Sequence, residues 1–200
     1  MSYPKLIQNL INQFAKLPSI GPKTAERLVF YLLYQPQKDL HDFGEAIEHL
    51  KENIKICSKC FNFAETNPCY ICEDSRRDTS LLCVVAKPQD MAAIEKVKSF
   101  NGLYHILGGN ISPIENIQPK SLKLQELIDR LTKEDISEVL IALNPDVPGE
   151  TTTAYIQKIL QKFPNIKTSR LARGLPVGAD LEYADDATLE SAINSRQEVI

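Results

Sequence analysis

The sequence has no apolar run long enough to cross a membrane as a helix. Its first five residues lead into an amphipathic segment that lacks the apolar core and cleavage site of a secretory signal, so we expect a cytoplasmic protein. It also lacks an excess of positive charge, since the formal net charge is -3 at pH 7. Any DNA binding must therefore depend on a local basic patch. Hydrophobic residues make up 43% of the chain, which excludes wholesale disorder.

Residues 5–56 carry the apolar spacing of helices. A first helix is predicted to end before Pro18, and a second to begin at Pro22, because proline suits the first helical position. A third helix is predicted over residues 40–56. Four of its apolar residues are expected to face inward: Phe43, Ile47, Leu50 and Ile54.

The connection between the first two helices, residues 17–25, has the pattern of a helix–hairpin–helix. Gly21 lets the backbone approach a phosphate closely, and the next helix offers free N–H groups at its N-terminus. Lys23 and Arg27 lie one turn apart on the same side of that helix, and residues 1–35 carry a local net charge of +3. The pattern predicts that Gly21, Lys23 and Arg27 contact the DNA backbone without sequence preference. The alternative is a plain helical hairpin with a glycine in its turn.

The strongest chemical signal is a set of four cysteines in two Cys-x2-Cys pairs, eight residues apart: Cys57, Cys60, Cys69 and Cys72. Two such pairs predict a closed tetrahedral site for one structural zinc ion, with no open position for catalysis. Four neighbouring apolar residues are expected to shield the sulfurs: Phe61, Phe63, Tyr70 and Ile71. The alternatives are an iron–sulfur cluster, whose usual spacings differ, and a redox dithiol, which needs only one pair.

Residues 80–178 alternate between apolar, β-branched runs and helical patterns. Strands are predicted at residues 81–85, 103–107, 138–143 and 166–171. Helices are predicted at residues 90–100, 122–131 and 151–163, with a short C-terminal helix at 188–194. This order predicts a mostly parallel sheet with right-handed crossovers, so the chain is expected to be an α+β protein of several modules. Cys83 is predicted to be a core residue of the first strand.

This α/β stretch resembles a Toprim domain, a module of topoisomerases and primases. Catalytic Toprim domains hold Mg²⁺ on a Glu that ends the first strand and an Asp-x-Asp that ends a later one. Ala86 stands in the first position and Asn144 replaces one Asp, while Asp146 is retained. Asp90 and Glu150 do not restore the spacing. We therefore expect no catalytic residues; the alternative is a Mg²⁺-dependent phosphoryl-transfer enzyme, either a nuclease or primase-like.

Taken together, the hairpin, the cysteine spacing, the Toprim-like stretch and the run SRLARGLPVGADLEY over residues 169–183 closely resemble the RecR family of bacterial recombination proteins. The resemblance covers nearly the whole chain in the same order. It implies a helix–hairpin–helix DNA-binding region, a four-cysteine zinc-finger module, a Toprim-like α/β domain and a C-terminal segment: residues 1–56, 57–79, 80–178 and 179–200.

The resemblance also implies a function. RecR-like proteins are non-catalytic mediators of recombinational DNA repair, and they form ring-shaped homotetramers that can encircle DNA. They act with RecO and RecF to help load the RecA recombinase onto single-stranded DNA, which implies a cytoplasmic, nucleoid-associated protein. Lys23 and Arg27 match the family's basic hairpin residues, and the four cysteines match its zinc ligands.

The chain departs from the family pattern at two positions. An acidic Toprim surface is implicated in RecO contact in the family, which implies partner binding by Asp146 and Glu150. Pro148 stands there where the family commonly has an acid, and proline removes an N–H and stiffens the loop. Ala179 replaces a frequent glycine, and it would be strained if that position required a positive φ.

Overall fold

The computed structural model describes residues 3–196. The chain divides into two compact units, Met1–Ile54 and Lys55–Ile200. Among the described residues, no helix is both long and apolar enough to span a membrane.

The described part of the first unit is helical. Its helices are α1 (Lys5–Phe14), α2 (Pro22–Leu33) and α3 (Gln37–Glu48), followed by a 3-10 turn at His49–Lys51. Pro22 is the first residue of α2, as its fixed φ predicts. The buried core of this unit is small and consists of Ile11, Ala25 and Val29.

The third helix differs from the prediction. It begins at Gln37 and ends at Glu48, whereas the apolar spacing predicted a helix over residues 40–56. The four residues expected to face inward are 42–66% exposed: Phe43, Ile47, Leu50 and Ile54. The spacing identified an apolar face correctly. However, the buried core of this unit has three residues, and none of them belongs to α3. The described segments of the unit therefore do not cover the apolar face of α3.

A four-stranded parallel sheet organises the second unit and confirms the predicted fold class. Its strands are β3 (Asp78–Val85), β4 (Gly102–Ile106), β5 (Glu138–Ile141) and β6 (Lys167–Arg170), after a short antiparallel pair of β1 (Lys55–Ile56) and β2 (Phe63–Ala64). The sheet order is β4-β3-β5-β6. The helices of this unit are α4 (Tyr70–Glu73), α5 (Pro88–Val97), α6 (Leu124–Lys133), α7 (Val147–Leu160) and α8 (Asp186–Asn194).

Both faces of the sheet are buried, and successive side chains of β3 alternate between them. Leu82 and Val84 belong to a cluster with residues of α6 and α7. Cys83 and Val85 belong to a second cluster that also contains three of the four paired cysteines. Cys83 is fully buried, which confirms it as a core residue, and burial raises the pKa of its thiol to about 12. The cysteine module therefore shares a core with one face of the sheet.

Candidate metal centre and nucleic-acid interface

The structure brings the four paired cysteines into one cluster: Cys57, Cys60, Cys69 and Cys72 have sulfurs within 4.8 Å of one another. Ligands at 2.3 Å from a tetrahedral zinc ion lie about 3.8 Å apart, and the Cys60 and Cys69 sulfurs are 3.5 Å apart. Three of the cysteines are fully buried, and Cys72 is partly exposed. An all-sulfur, closed donor set of this size fits one structural zinc ion.

Local backbone structure holds the cysteine pairs in place. The Phe61 N–H donates to the carbonyl of Cys57 at 3.0 Å, and Phe61 has a positive φ of 65°. The Cys69 N–H donates to the sulfur of Cys57 at 3.3 Å, so a backbone amide stabilises a ligand from outside the metal site. The shielding prediction holds for Ile71, which is fully buried, but it is wrong for Phe63 and Tyr70, which are 60% and 70% exposed.

The sulfurs oppose one another electrostatically when no cation compensates them. A hydrogen bond from Cys72 lowers the pKa of Cys60 to about 5, and the same contact raises the pKa of Cys72. Burial raises the pKa of Cys69 to about 11. A divalent cation removes this conflict, because it stabilises all four groups as thiolates. Zinc binding would therefore release protons and cross-link the β1–β2 connection to α4.

The first cysteine pair covers the free edge of β4. The Ile106 N–H of β4 donates to the carbonyl of Cys60 at 2.9 Å. In the sheet order β4 is an end strand, and such an edge normally exposes unpaired backbone groups. The ring of Phe61 also packs edge-on against His105 of β4, with centroids 5.3 Å apart.

Arg130 of α6 joins the cysteine module to the sheet, a role that no motif in the sequence predicted. It is only 7% exposed. Its Nη1 donates to the carbonyl of Lys59 at 3.2 Å and to that of Tyr104 at 2.8 Å. Two further bonds of 3.0 Å pair it with Glu134. The available signal was its position on the apolar stripe of α6, three residues after Leu127.

The Toprim-like positions lie at the carboxyl ends of β3 and β5. Ala86 is buried after β3, and Asn144 follows β5. The retained Asp146 caps α7, since its Oδ1 accepts from the Gly149 N–H at 2.7 Å. Pro148 lies in the first turn of α7, where no intrahelical donor is required, so its missing N–H costs no helix bond.

The two remaining acids near this edge also have structural partners. Asp90 caps α5, since its Oδ2 accepts from the Lys87 N–H at 2.9 Å. Glu150 pairs with Arg170 at 3.6 Å, and it accepts a hydrogen bond from Arg173. The carboxylates therefore stabilise helix ends and an ion pair, and they do not form a convergent oxygen cage for Mg²⁺.

The hairpin exposes the residues that the sequence assigns to DNA contact. Gly21 is the N-cap of α2 in extended backbone, with φ -80° and ψ 167°. A side chain at Gly21 would meet no atom within 4 Å, so the space beside this helix end is open. Lys23 and Arg27 are both exposed on α2. This arrangement leaves N–H groups and two cations accessible to a phosphate.

The C-terminal segment accommodates the alanine that replaces a common glycine. Gly178 has a positive φ of 83°, whereas Ala179 lies outside the left-handed region. Ala179 therefore carries no backbone strain.

Family models match four successive parts of the chain. The model described as RecR, helix-hairpin-helix, matches residues 7–51, and the model of the RecR zinc finger domain, of the four-cysteine type, matches residues 54–74. The model described as Toprim domain matches residues 80–172, and RecR, C-terminal, matches residues 174–197. The order of the matches is the order of the structural regions described above.

Proposed function

The chain belongs to the RecR family, and we propose that it is a non-catalytic, ring-forming DNA clamp that acts with RecO and RecF to promote RecA loading on single-stranded DNA. Its family domains support a role in recombination and repair with DNA binding. The exposed hairpin with Gly21, Lys23 and Arg27 is the observation that carries the proposal.

The proposed DNA contact follows from the charge and the geometry of the hairpin. The N-terminus of α2 carries a partial positive charge, and Lys23 and Arg27 add two full charges beside it. A site of this kind neutralises phosphates but reads no base edges. Binding is therefore expected to be independent of sequence and to weaken steeply with salt.

The proposed ring rests on the uncovered apolar face of the first unit. Residues of its three helices and of the α1–α2 connection line a groove of about 450 Å³: Leu10, Phe14, Leu17, Leu32, Leu40, Phe43 and Ile47. Exposed apolar surface of this kind favours association, and we propose that a second copy covers it. Closing copies into a tetrameric ring would give long residence on DNA through contacts that are individually weak.

The absence of catalysis is supported by the roles of the acids at the sheet edge. Asp146 and Asp90 cap helices, Glu150 is ion-paired, and the other two Toprim positions are Ala86 and Asn144. A two-metal or one-metal phosphoryl-transfer site needs carboxylates that are free to bind the ion. We propose that this domain is a docking surface, with Asp146 and Glu150 as candidate RecO contacts.

We further propose that the four regions are functional modules with the boundaries given above. The hairpin region would contact DNA and pair subunits. The zinc module would close the sheet edge, and the Toprim-like domain would dock partners. The C-terminal segment would complete the assembly.

The test is a DNA titration of the double variant Lys23→Ala/Arg27→Ala by fluorescence anisotropy with a labelled single-stranded oligonucleotide. Lys38→Ala/Lys51→Ala is the matched control, because it removes the same charge from exposed positions of the first unit that lie outside the basic stretch of residues 1–35. We expect the hairpin variant to lose at least about tenfold in affinity and to show a shallower salt dependence. The control should bind nearly as the wild type does.

Zinc content and light scattering on the same samples separate a DNA-contact defect from misfolding. Undiminished binding by the hairpin variant, with zinc and oligomer mass intact, would falsify the assignment. Two additions to the wild-type reaction test the enzyme alternative: cleavage of the oligonucleotide with Mg²⁺, or its extension with Mg²⁺ and nucleoside triphosphates, would support it.

A further inference from the structure

A crevice lies at the carboxyl ends of β5 and β6, beside α5 and α7. It has a volume of about 290 Å³, and its lining includes Ile94, Asn144, Glu150, Arg170, Leu171 and Arg173. In the sheet order, the chain passes from β3 outward to β4 and then back to β5 on the other side. The reversal lies between β3 and β5, and α5, which follows β3, forms one wall of the neighbouring crevice. Such reversals are the usual ligand positions of parallel α/β sheets.

Two guanidinium groups converge on one carboxylate in this crevice. Arg170 ends β6, and its Nη1 lies 3.6 Å from Oε2 of Glu150. Arg173 donates from its Nη2 to Oε1 of the same carboxylate. Each oxygen of Glu150 therefore faces its own cation. The three side chains are 34–44% exposed, so the pairing is solvated and reversible.

The pairing ties an irregular segment to a rigid helix. Residues 171–176 lie in neither helix nor strand, while Glu150 lies in the first turn of α7. Leu171 and Arg173, from this segment, form part of the crevice lining. Among the described residues, no backbone hydrogen bond joins residues 171–175 to the sheet or to α7, so side-chain contacts hold the segment at the crevice.

We propose that Glu150, Arg170 and Arg173 form an electrostatic latch that holds residues 171–176 over the crevice. Loss of either sign of charge releases the segment and opens the crevice to solvent. The latch is a property of the free chain and does not depend on any partner. One consequence does rest on the proposed function: a basic partner group that pairs with Glu150 would displace Arg173 and free the segment.

The latch is tested by limited proteolysis of the zinc-loaded full chain with chymotrypsin, which cleaves after Leu171, Leu181 and Tyr183. Mass spectrometry follows cleavage within residues 171–183 in Glu150→Gln, in Arg173→Gln and in the double variant. Arg196→Gln is the control, because it removes the same charge from an exposed C-terminal position. No partner is present, so failure of this test is separate from failure of the proposed RecO contact.

Each single variant should be cleaved about two- to fivefold faster than the wild type, the range expected for one solvated charge pair. The double variant should be no faster than the single ones, and the charge exchange Glu150→Arg/Arg173→Glu should restore slow cleavage. Equal rates in the wild type and Glu150→Gln, or fully additive effects in the double variant, would overturn the latch.

A salt series tests the latch within each protein, so its result does not depend on how well a variant folds. Raising NaCl to about 1 M should accelerate cleavage of the wild type and of Arg196→Gln alike, because it screens the pairing. Glu150→Gln should show no such acceleration. A wild-type rate that responds to salt no more than the Glu150→Gln rate would contradict the proposal without relying on any comparison of stabilities.

Discussion

Replacing Arg130 with methionine tests how strongly the cysteine module is joined to the sheet. Methionine keeps most of the apolar volume of the arginine stem. It removes the donors to the carbonyls of Lys59 and Tyr104, which belong to the cysteine module and to β4. The change therefore weakens the junction and leaves the zinc ligands untouched.

The expected cost follows from the burial of the two carbonyls. The bond to Tyr104 is buried, and losing a hydrogen bond from a charged donor costs about 1.5–3 kcal/mol. The bond to Lys59 is partly buried and longer, at 3.2 Å, so it adds about 1 kcal/mol or less. Glu134 is 37% exposed and can be solvated after it loses its partner. We expect the free energy of unfolding to fall by about 2–4 kcal/mol.

The assay is urea unfolding of the zinc-loaded protein, together with hydrogen exchange by mass spectrometry. Lys133→Met is the control, because Lys133 is exposed in the last turn of the same helix. Exchange at the Ile106 amide should rise in Arg130→Met, since that amide bonds to Cys60 across the junction. Exchange in β5 should change less. A loss of stability below about 1 kcal/mol, with exchange at Ile106 unchanged, would refute the reasoning.

Two further predictions concern protons and metal. Burial lowers the pKa of His105 to about 4. Below about pH 6.5 the unfolded chain therefore binds a proton on this histidine, whereas the folded chain does not. The free energy of unfolding should be highest above about pH 7 and should fall by about 1.4 kcal/mol from about pH 7.5 to 5.5. Urea unfolding at both pH values should show a smaller change in the free energy of unfolding for His105→Asn than for the wild type. An equal change in the two proteins would contradict this. Chelating zinc under native conditions should expose four of the five thiols to a chromogenic disulfide, because Cys83 lies in the sheet core. Reaction of all five at one rate would mean that the sheet opens with the metal site.

The sequence predicts most strongly where chemistry depends on spacing along the chain. The cysteine pattern predicted the cluster at Cys57–Cys72, since each short pair can reach only one ion. The alternation of strands and helices likewise predicted the parallel sheet, because parallel strands need long crossovers. In both cases the determining contacts are local or imposed by topology.

The sequence failed where the outcome depends on contacts between distant segments. The apolar spacing of Phe43 and Ile47 marks a buried face in any amphipathic helix, but it cannot say whether the same unit covers that face. Arg130 reaches Lys59, 71 residues earlier in the chain. Phe63 and Tyr70 were assigned to shielding by proximity, yet the neighbouring sheet already covers the inner side of the site.

The two ends of the four-stranded sheet differ in a way that links these observations. An open strand edge invites pairing with other chains unless it is covered or charged. The edge of β4 is covered, because the cysteine pair accepts its Ile106 N–H and Arg130 fastens that contact. The edge strand β6 carries Lys167 and Arg170, both exposed, and charged side chains of this kind oppose edge-to-edge pairing. The cysteine module and Arg130 therefore cover one edge, and charge protects the other. All five residues of β4 are buried, so this strand carries no exposed charge of its own. Loss of the metal that cross-links the module should therefore weaken the cover of the β4 edge.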